Sequence, residues 1–174
     1  MPIPAKIKNY LIKKKLKFEI VKHKTVYTAY DLAQTTRSRL EQIGKTLFVK
    51  ADRDYYLILL PGHRRLNIPK LKKILKAKKI SIVKEKEMAK KLKIKPGAIT
   101  PFGSLYKLGV VVDKSLAGVT EALFGAGSFT ESLRFKIKDY LKTEEPLKGD
   151  IGENAGLKIQ AKPVRKKKNI KRKK

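Results

Sequence analysis

The sequence predicts a single domain that mixes short helices with β-strands, and three observations support this expectation. The chain has 174 residues, of which 41% are apolar, enough for one domain with a hydrophobic core. Segments with apolar residues at helical spacing alternate with short runs rich in β-branched and aromatic residues. Two of those runs are separated only by the polar stretch 52–54, which predicts a β-hairpin.

The N-terminal part is expected to form a helix, a strand and a second helix. Ala5 to Leu16 carries apolar residues on one face and lysines on the other. Phe18 to Val21 is typical of a short strand. Thr28 to Asp31 resembles a capping box, with Asp in place of Glu, and predicts the start of a short helix. A further helical turn near Leu40 leads to Gly44, a residue type that often ends a helix.

The predicted hairpin is the stretch around which the rest of the chain is organised. Its first strand includes Thr46 to Val49, and its second, Tyr55 to Leu60, is continuously apolar, as in a strand buried on both faces. Lys45 therefore stands where the chain enters a buried strand. A lysine in this position is either a strand-end residue whose charge reaches water or a functional group at the rim of a pocket.

The second half of the chain alternates further helices and strands. Asn67 is a good N-cap and Pro69 suits a first helical turn, so a helix is expected from Ile68. Lysines cover the outer faces of the helices predicted here, and such faces are often simply solvated. The expected elements are helices Ile68–Lys79, Glu85–Leu92 and Lys136–Lys142, and strands Ile80–Val83, Leu108–Val112, Val119–Phe124 and Thr130–Phe135.

Two glycine-containing loops are candidates for ligand contacts. Lys95 to Gly103 holds two prolines and two glycines in nine residues, which fixes a loop that brings backbone N–H groups close to a ligand or forms a structural turn. Gly125 to Ser128 contains Gly-Ala-Gly. This second loop lacks the third glycine, the helix and the distal acid of a dinucleotide-binding fingerprint.

The charge of the chain predicts an anionic partner. Lys and Arg number 44 against 15 acidic residues, a net charge of +29, which points most strongly to nucleic acid. Residues 162–174 contain nine basic residues and no acid, so residues 146–174 are expected to form a disordered basic arm after a domain of residues 1–145. Cysteine is absent, and no apolar run is long enough for a membrane span. We therefore expect a soluble cytoplasmic protein without a membrane partner, metal or cofactor.

Three features occur in one order along the chain: Gly44-Lys45-Thr46 entering a strand, the loop from Gly97 to Gly103, and Gly125 to Ser128. This order resembles the YbaK-like, prolyl-tRNA-synthetase-associated editing domains, and the resemblance covers about Ala5 to Leu141. It implies an α+β fold of the YbaK-like type, with a curved mixed β-sheet flanked by short helices and a small pocket.

The resemblance also implies a function. Such domains hydrolyse the ester of mischarged tRNA, here one carrying a small amino acid such as Ala, Ser or Cys. Lys45 is the expected catalytic residue, acting as an electrostatic positioner of the substrate's ribose or phosphate. Phe129 stands where many relatives carry a polar side chain, which bears on the choice of amino acid. The expected substrate-binding residues are Gly97, Ala98, Ile99, Thr100, Pro101, Phe102, Gly103, Gly125, Gly127 and Ser128. The basic arm lies outside the resemblance, and its charge makes the following the expected tRNA-binding residues: Arg165, Lys166, Lys167, Lys168, Lys171 and Arg172.

Other interpretations stay open from the sequence. His23 and His63 are the only histidines, so no Ser-His-Asp set is evident, and a lone His23 is either a general base or structural. A non-catalytic RNA-binding or ribosome-associated protein on an editing-domain scaffold is the main alternative, because charge alone would favour it. A general polyanion or anionic-membrane binder is a third. Besides tRNA, the partners to consider are an aminoacyl-tRNA synthetase and the ribosome.

Overall fold

The fold is built on a mixed β-sheet with short helices on its faces, as the computed structural model shows for residues 1–95 and 99–156. This confirms the expected α+β class. Eight of the described strands form the main sheet, and two others form a separate antiparallel pair. In chain order the strands are β1 Glu19–Lys22, β2 Ile43–Ala51, β3 Asp54–Pro61, β4 Arg64–Leu66, β5 Ile80–Ile82, β6 Gly109–Asp113, β7 Glu121–Gly125, β8 Glu131–Lys136, β9 Leu147–Gly149 and β10 Gly152–Asn154.

The helices are short, and within the described residues none is long and apolar enough to cross a membrane. The α-helices are α1 Ala5–Lys13, α2 Ala29–Thr36, α3 Ile68–Leu75, α4 Glu85–Leu92, α5 Lys114–Ala117 and α6 Ile137–Glu144. Two 3-10 turns, Leu40–Gln42 and Gly103–Tyr106, precede β2 and β6.

The strands of the main sheet follow the order β1-β8-β7-β2-β3-β6-β9, with β5 also paired to β2. The predicted hairpin is present: β2 and β3 pair antiparallel from Gly44 opposite Pro61 to Ala51 opposite Asp54. The pairs β2–β7, β3–β6 and β6–β9 are parallel, and the other pairs of this sheet are antiparallel. The hairpin thus occupies the middle of the sheet, which explains why β3 is continuously apolar from Tyr55 to Leu60.

Several predicted boundaries differ from the observed ones. Helix α1 ends at Lys13 because Lys15 has a left-handed backbone with φ of 55°, and α3 ends at Leu75 because Lys76 has φ of 51°. The expectation that Gly44 ends a helix is wrong, since it lies inside β2. A Cβ at Gly44 would lie 2.0 Å from the ring of Phe124, so a glycine is needed where β7 packs against β2.

One edge of β2 is shared by two strands that leave a gap between them. Strand β7 pairs with Ile43 and Gly44, and β5 pairs with Val49 to Ala51. In the described part of the chain, no strand pairs with residues 45–47 on this side. Lys45 therefore sits at an opening in the sheet that the divergence of β5 and β7 creates.

Hydrophobic clusters cover both faces of the sheet. One face holds an aromatic cluster in which the Phe124 and Phe135 rings are stacked at 5.3 Å between centroids and Tyr140 packs beside them. On the other face, the buried Leu71 of α3 packs with Ile58 of β3 and others. This double cover makes the sheet a rigid frame for the opening at Lys45.

The ordered fold continues past residue 145, where the basic arm was expected to begin. Strand β9 pairs with β6, and β10 pairs with β4. The carboxylate of the fully buried Asp113 accepts hydrogen bonds from the backbone N–H groups of Ile151 and Gly152, at 3.0 and 2.9 Å. The polar, Gly-rich composition after Thr143 therefore reflects short strands and tight turns in this part, and the boundary at 145 falls too early.

Candidate active site

A small cavity opens at the gap in the edge of β2. Its volume is about 160 Å³. Four consecutive residues of β2, Ile43 to Thr46, line it, as do Ser128 and Phe129 of the β7–β8 connection. The lining residues among those described are Val26, Tyr27, Thr28, Ala29, Leu32, Ile43, Gly44, Lys45, Thr46, Ile99, Gly125, Ser128, Phe129 and Ser132.

Lys45 is the cationic side chain among the described residues that line this cavity. It is half-buried, and its Nζ donates a hydrogen bond to the backbone carbonyl of Arg64. Desolvation by the surrounding protein lowers the pKa of Lys45 below its ordinary value. The ammonium is thus held in place and incompletely hydrated, a state in which it interacts strongly with an anionic or polar ligand.

Arg64, whose carbonyl holds Lys45, is itself held by a network of hydrogen bonds and ion pairs. The guanidinium of Arg64 donates to the buried Asp113 at 3.0 Å and to the Gly152 carbonyl at 2.6 Å. Its second ion pair, with Asp150, measures 3.3 Å. Strand β10 thereby helps to fix Lys45, although it lies outside the part of the chain in which the sequence placed the site.

The structure separates the predicted loop residues into two groups. Ile99 lines the cavity. Thr100, Pro101, Phe102 and Gly103 are buried and do not line it, in contrast to the expectation that they contact the substrate. The Pro101 carbonyl accepts a hydrogen bond of 2.5 Å from the Tyr140 hydroxyl, so this half of the loop is an anchor in the core. Gly97 and Ala98 lie outside the described residues.

The second glycine loop is also divided. Gly125 and Ser128 line the cavity, whereas Gly127, with φ of 80°, faces a different cavity nearby. The Ser128 hydroxyl donates to the Met1 carbonyl and accepts from the backbone N–H of Thr130 and Glu131, at 3.2 and 3.0 Å. Ser128 therefore shapes the entrance to β8. The six predicted tRNA-binding residues of the arm lie outside the described part of the chain.

A histidine–serine pair at the cavity wall was missed by sequence reasoning. His23 Nε2 lies 2.8 Å from the hydroxyl of Ser132, which is 1% exposed and lines the cavity. The other ring nitrogen, Nδ1, lies 2.8 Å from the Lys24 carbonyl. Because a carbonyl only accepts, Nδ1 carries the proton, and in the neutral ring Nε2 accepts from Ser132. The Ser132 oxygen then presents its lone pairs toward a ligand.

Two exposed aromatic rings stand at the mouth of the cavity. Tyr27 and Phe129 are 77% and 42% exposed, and their ring centroids are 5.2 Å apart. Large aromatic side chains left in water beside a cavity are typical of ligand contacts. The exposed Phe129 was noted in the sequence, but Tyr27 gave no signal of its own.

The site as a whole suits a small polar group carried by a larger anion. It combines the Lys45 ammonium, the hydroxyls of Thr46 and Ser132, and apolar rings at its mouth. The described residues contain no group of three or more His, Cys, Asp or Glu side chains placed to hold a metal ion. A mixed β-sheet with such a cavity at a gap in a strand edge, in a chain with a net charge of +29, suits the binding of a small group attached to a polyanion.

The chain belongs to the aminoacyl-tRNA editing domain family, whose model matches residues 23–143. Membership in this family confirms the resemblance noted in the sequence and makes the protein a hydrolase, an aminoacyl-tRNA deacylase. The matched segment contains Lys45 and both glycine loops, and it begins at His23.

The chain is also similar to individual proteins and to a solved structure. The chain is 28% identical over 110 residues to the prolyl-tRNA editing protein ProX of Acetoanaerobium sticklandii, covering 60% of this chain and 67% of that protein. It is 28% identical over 101 residues to a proline–tRNA ligase of Macrococcus caseolyticus, covering 58% of this chain but only 18% of the ligase. A crystal structure described as a candidate trans-editing enzyme for prolyl-tRNA synthetase has a TM-score of 0.74 at 22% identity, covering 85% of this chain and 95% of that one.

Proposed function

We propose that the protein acts in trans to remove a small amino acid, such as Ala, Ser or Cys, from mischarged tRNA by hydrolysing its ester bond. The observation that carries this proposal is the small cavity with Lys45 in its wall. A volume of about 160 Å³ suits a short side chain and leaves little room for a bulky one. Selectivity against a larger side chain is then steric, and each extra methylene is worth about 1–3 kcal/mol.

The relatives suggest which tRNA to test first. One is named a prolyl-tRNA editing protein and another a proline–tRNA ligase. We therefore infer that tRNA for proline carrying the wrong amino acid is the substrate, and that prolyl-tRNA synthetase is the enzyme whose errors it corrects. A ribosomal partner stays a prediction.

In this proposal Lys45 binds and orients the substrate. An aminoacyl ester is already activated, so its hydrolysis requires an oriented carbonyl, a water molecule and stabilisation of the negative charge that develops. The Lys45 ammonium, fixed by the Arg64 carbonyl, is placed to hold a terminal ribose hydroxyl or phosphate oxygen. Its role is electrostatic, and the general base is supplied elsewhere, for example by the second ribose hydroxyl of the substrate.

Ser132 is suited to bind the amino group of the substrate. While the Ser132 hydroxyl donates a hydrogen bond to His23 Nε2, the serine oxygen can accept a hydrogen bond from the α-ammonium group of the substrate. The backbone at Gly97 is proposed to donate to the developing oxyanion. One such donor is typically worth about 3 kcal/mol in the transition state.

The decisive experiment is a deacylation assay with a panel of mischarged tRNAs, using Lys45→Ala, Lys45→Arg and Lys45→Met. All three variants should lose activity, because even the planar fork of Arg does not replace a compact ammonium in a small cavity. The Met variant is a control for packing, and its melting temperature should stay close to that of the wild type. Full activity of a folded Lys45→Ala protein would remove Lys45 from the site.

The pH dependence provides a second measure of the same role. Burial favours the neutral amine, so the Lys45 ammonium loses its proton as the pH rises through a value below the ordinary 10.5. The rate difference between the wild type and Lys45→Ala should therefore decline on the alkaline side before pH 10.5 is reached. A difference that grows with pH would instead indicate a lysine acting as a neutral base.

A binding role without turnover is the competing outcome of this assay. Exposed lysines on α3 and the segment after it, among them Lys73, Lys76, Lys78 and Lys79, give the described surface a strongly basic character that would suit RNA binding alone. A wild-type protein that binds tRNA but hydrolyses no member of the panel would favour that role. Hydrolysis of bulky aminoacyl esters as fast as small ones would contradict the proposed selectivity.

A further inference from the structure

A second cavity lies next to the candidate active site and plays no part in the proposed chemistry. It lies between α1 and the end of α4, with a volume of about 300 Å³. Its floor is apolar and belongs to the edge of the core, with Ile7, Ile94, Leu105 and Tyr106. Three lysines that are exposed to solvent also line it: Lys6, Lys93 and Lys95.

The two cavities share a wall. Gly127 lines the second cavity, while its neighbour Ser128 lines the first. The Ser128 hydroxyl also donates to the carbonyl of Met1, a residue of the second cavity. The chain at Gly127 and Ser128 therefore separates the two cavities, and a ligand can extend from the first cavity over this chain into the second.

We propose that the second cavity binds the unpaired nucleotide that precedes the esterified terminal nucleotide of the tRNA. This inference rests on the proposed function, because that function places the ester in the first cavity. The apolar floor receives the base, with the Tyr106 ring as a stacking surface, and the lysines contact the flanking phosphates. An apolar floor beneath a ring of ammonium groups matches a nucleotide, which joins a flat, weakly polar base to a phosphate.

This arrangement has a clear use for an editing enzyme. The end of a tRNA is single-stranded, so holding the adjoining nucleotide fixes the direction in which the terminal ester enters the first cavity. Stacking is tolerant of sequence, because every base has a π-face. The cavity would therefore increase binding of tRNA ends in general, while the first cavity selects the amino acid.

The first test compares a charge-reversed pair at the cavity, in the segment that follows α4, with a matched pair on α4 itself. Lys93→Glu with Lys95→Glu should raise KM for mischarged tRNA about tenfold and leave kcat nearly unchanged, because the lysines hold the phosphates equally in the ground and transition states. Lys86→Glu with Lys90→Glu changes the charge equally at exposed positions that do not line the cavity. The control pair should raise KM by clearly less.

A substrate with an abasic penultimate nucleotide tests the base itself. The kcat/KM of the wild type should be about tenfold lower on this substrate than on the intact tRNA. Replacing Tyr106 by Ala should lower kcat/KM on the abasic substrate only slightly further, because the base that the ring would stack on is already gone. If the abasic change leaves wild-type kcat/KM unaltered, or if the two lysine pairs raise KM equally, the second cavity does not bind this nucleotide.

A binding measurement separates this inference from the proposed function. Uncharged tRNA with 4-thiouridine at the penultimate position can be photocrosslinked to the full-length protein, and the crosslinked peptide identified by mass spectrometry. Crosslinks within residues 93–95 or at Tyr106 support the inference even in a protein that hydrolyses nothing. Efficient crosslinking to other segments alone would overturn it, whatever the deacylation assay shows.

Discussion

At the scale of single residues, Gly125 determines how much room the first cavity has. An ideal Cβ at this position meets no atom of the described residues within 4 Å, so a side chain here would extend into the cavity that Lys45 also lines. Val also suits a strand position such as this one. Gly125 therefore leaves space in the cavity that a side chain would fill, and no described contact requires a glycine here.

We predict that the Gly125→Val variant is as stable as the wild type. Its kcat/KM for small aminoacyl esters should be lower by about tenfold or more, because the valine side chain fills part of the cavity. Gly44→Ala is the structural contrast, because its Cβ would overlap the Phe124 ring and cost about 1–3 kcal/mol of stability. Deacylation rates and urea denaturation of the two variants measure both effects. Unchanged rates for Gly125→Val would show that the substrate does not approach this wall.

The two residue-level features of the site differ in how far sequence could predict them. Lys45 was found because it follows a glycine at the start of an apolar strand and matches a family pattern. The His23–Ser132 pair joins residues 109 positions apart, and only the pairing of β1 with β8 brings them together. His23 was considered from the sequence as a possible general base, but no local signal links it to Ser132, so the pair could not be predicted from the sequence.

At the scale of secondary structure, local capping signals gave reliable predictions. The Thr28 and Asn67 side chains accept from the backbone N–H groups of Asp31 and Lys70, each at 3.0 Å, as their positions in the sequence indicate. Strands β4, β9 and β10 have three residues each, too few to show a period of two. Their pairing depends on distant partners, which explains why the segment after residue 145 was assigned to the arm.

We predict that a chain ending at residue 145 is destabilised by at least about 3 kcal/mol, whereas one ending at 156 is not. The shorter chain loses the fully buried Ile151 and leaves Asp113 without two of its backbone donors. Urea denaturation of both truncated proteins beside the full chain measures the difference. Equal midpoints for all three would mean that β9 and β10 do not stabilise the domain.

At the scale of the whole molecule, the clearest prediction from composition was an anionic partner, which the net charge of +29 indicated. Membership in a family that acts on aminoacyl-tRNA agrees with an anionic partner. Composition could not show where that charge meets RNA. The lysines at the second cavity are few among 44 basic residues, and only the fold distinguishes them from the rest.

The basic segment of residues 163–174 leads to a prediction at this scale. Removing it should weaken tRNA binding and reduce the slope of log K against log salt by about 0.7–0.9 for each phosphate that the segment neutralises in the full chain. Turnover at saturation should stay nearly constant, because binding of this kind is equal in the ground and transition states. A chain of full length with Gln at the basic positions controls for length. Identical salt slopes in all three proteins would show that the segment does not bind tRNA.

The anchoring of Lys45 through Arg64 has a consequence for how the protein is made. Arg64 is held by Asp113, Asp150 and Gly152, so its hydrogen bonds are complete only after β10 has left the ribosome during synthesis. Until β9 arrives, a nascent chain also exposes the edge of β6, a site for mispairing with other strands. A product of premature termination between residues 133 and 149 therefore contains every described residue that lines the first cavity, but lacks Asp150 and Gly152, two of the three residues that hold Arg64.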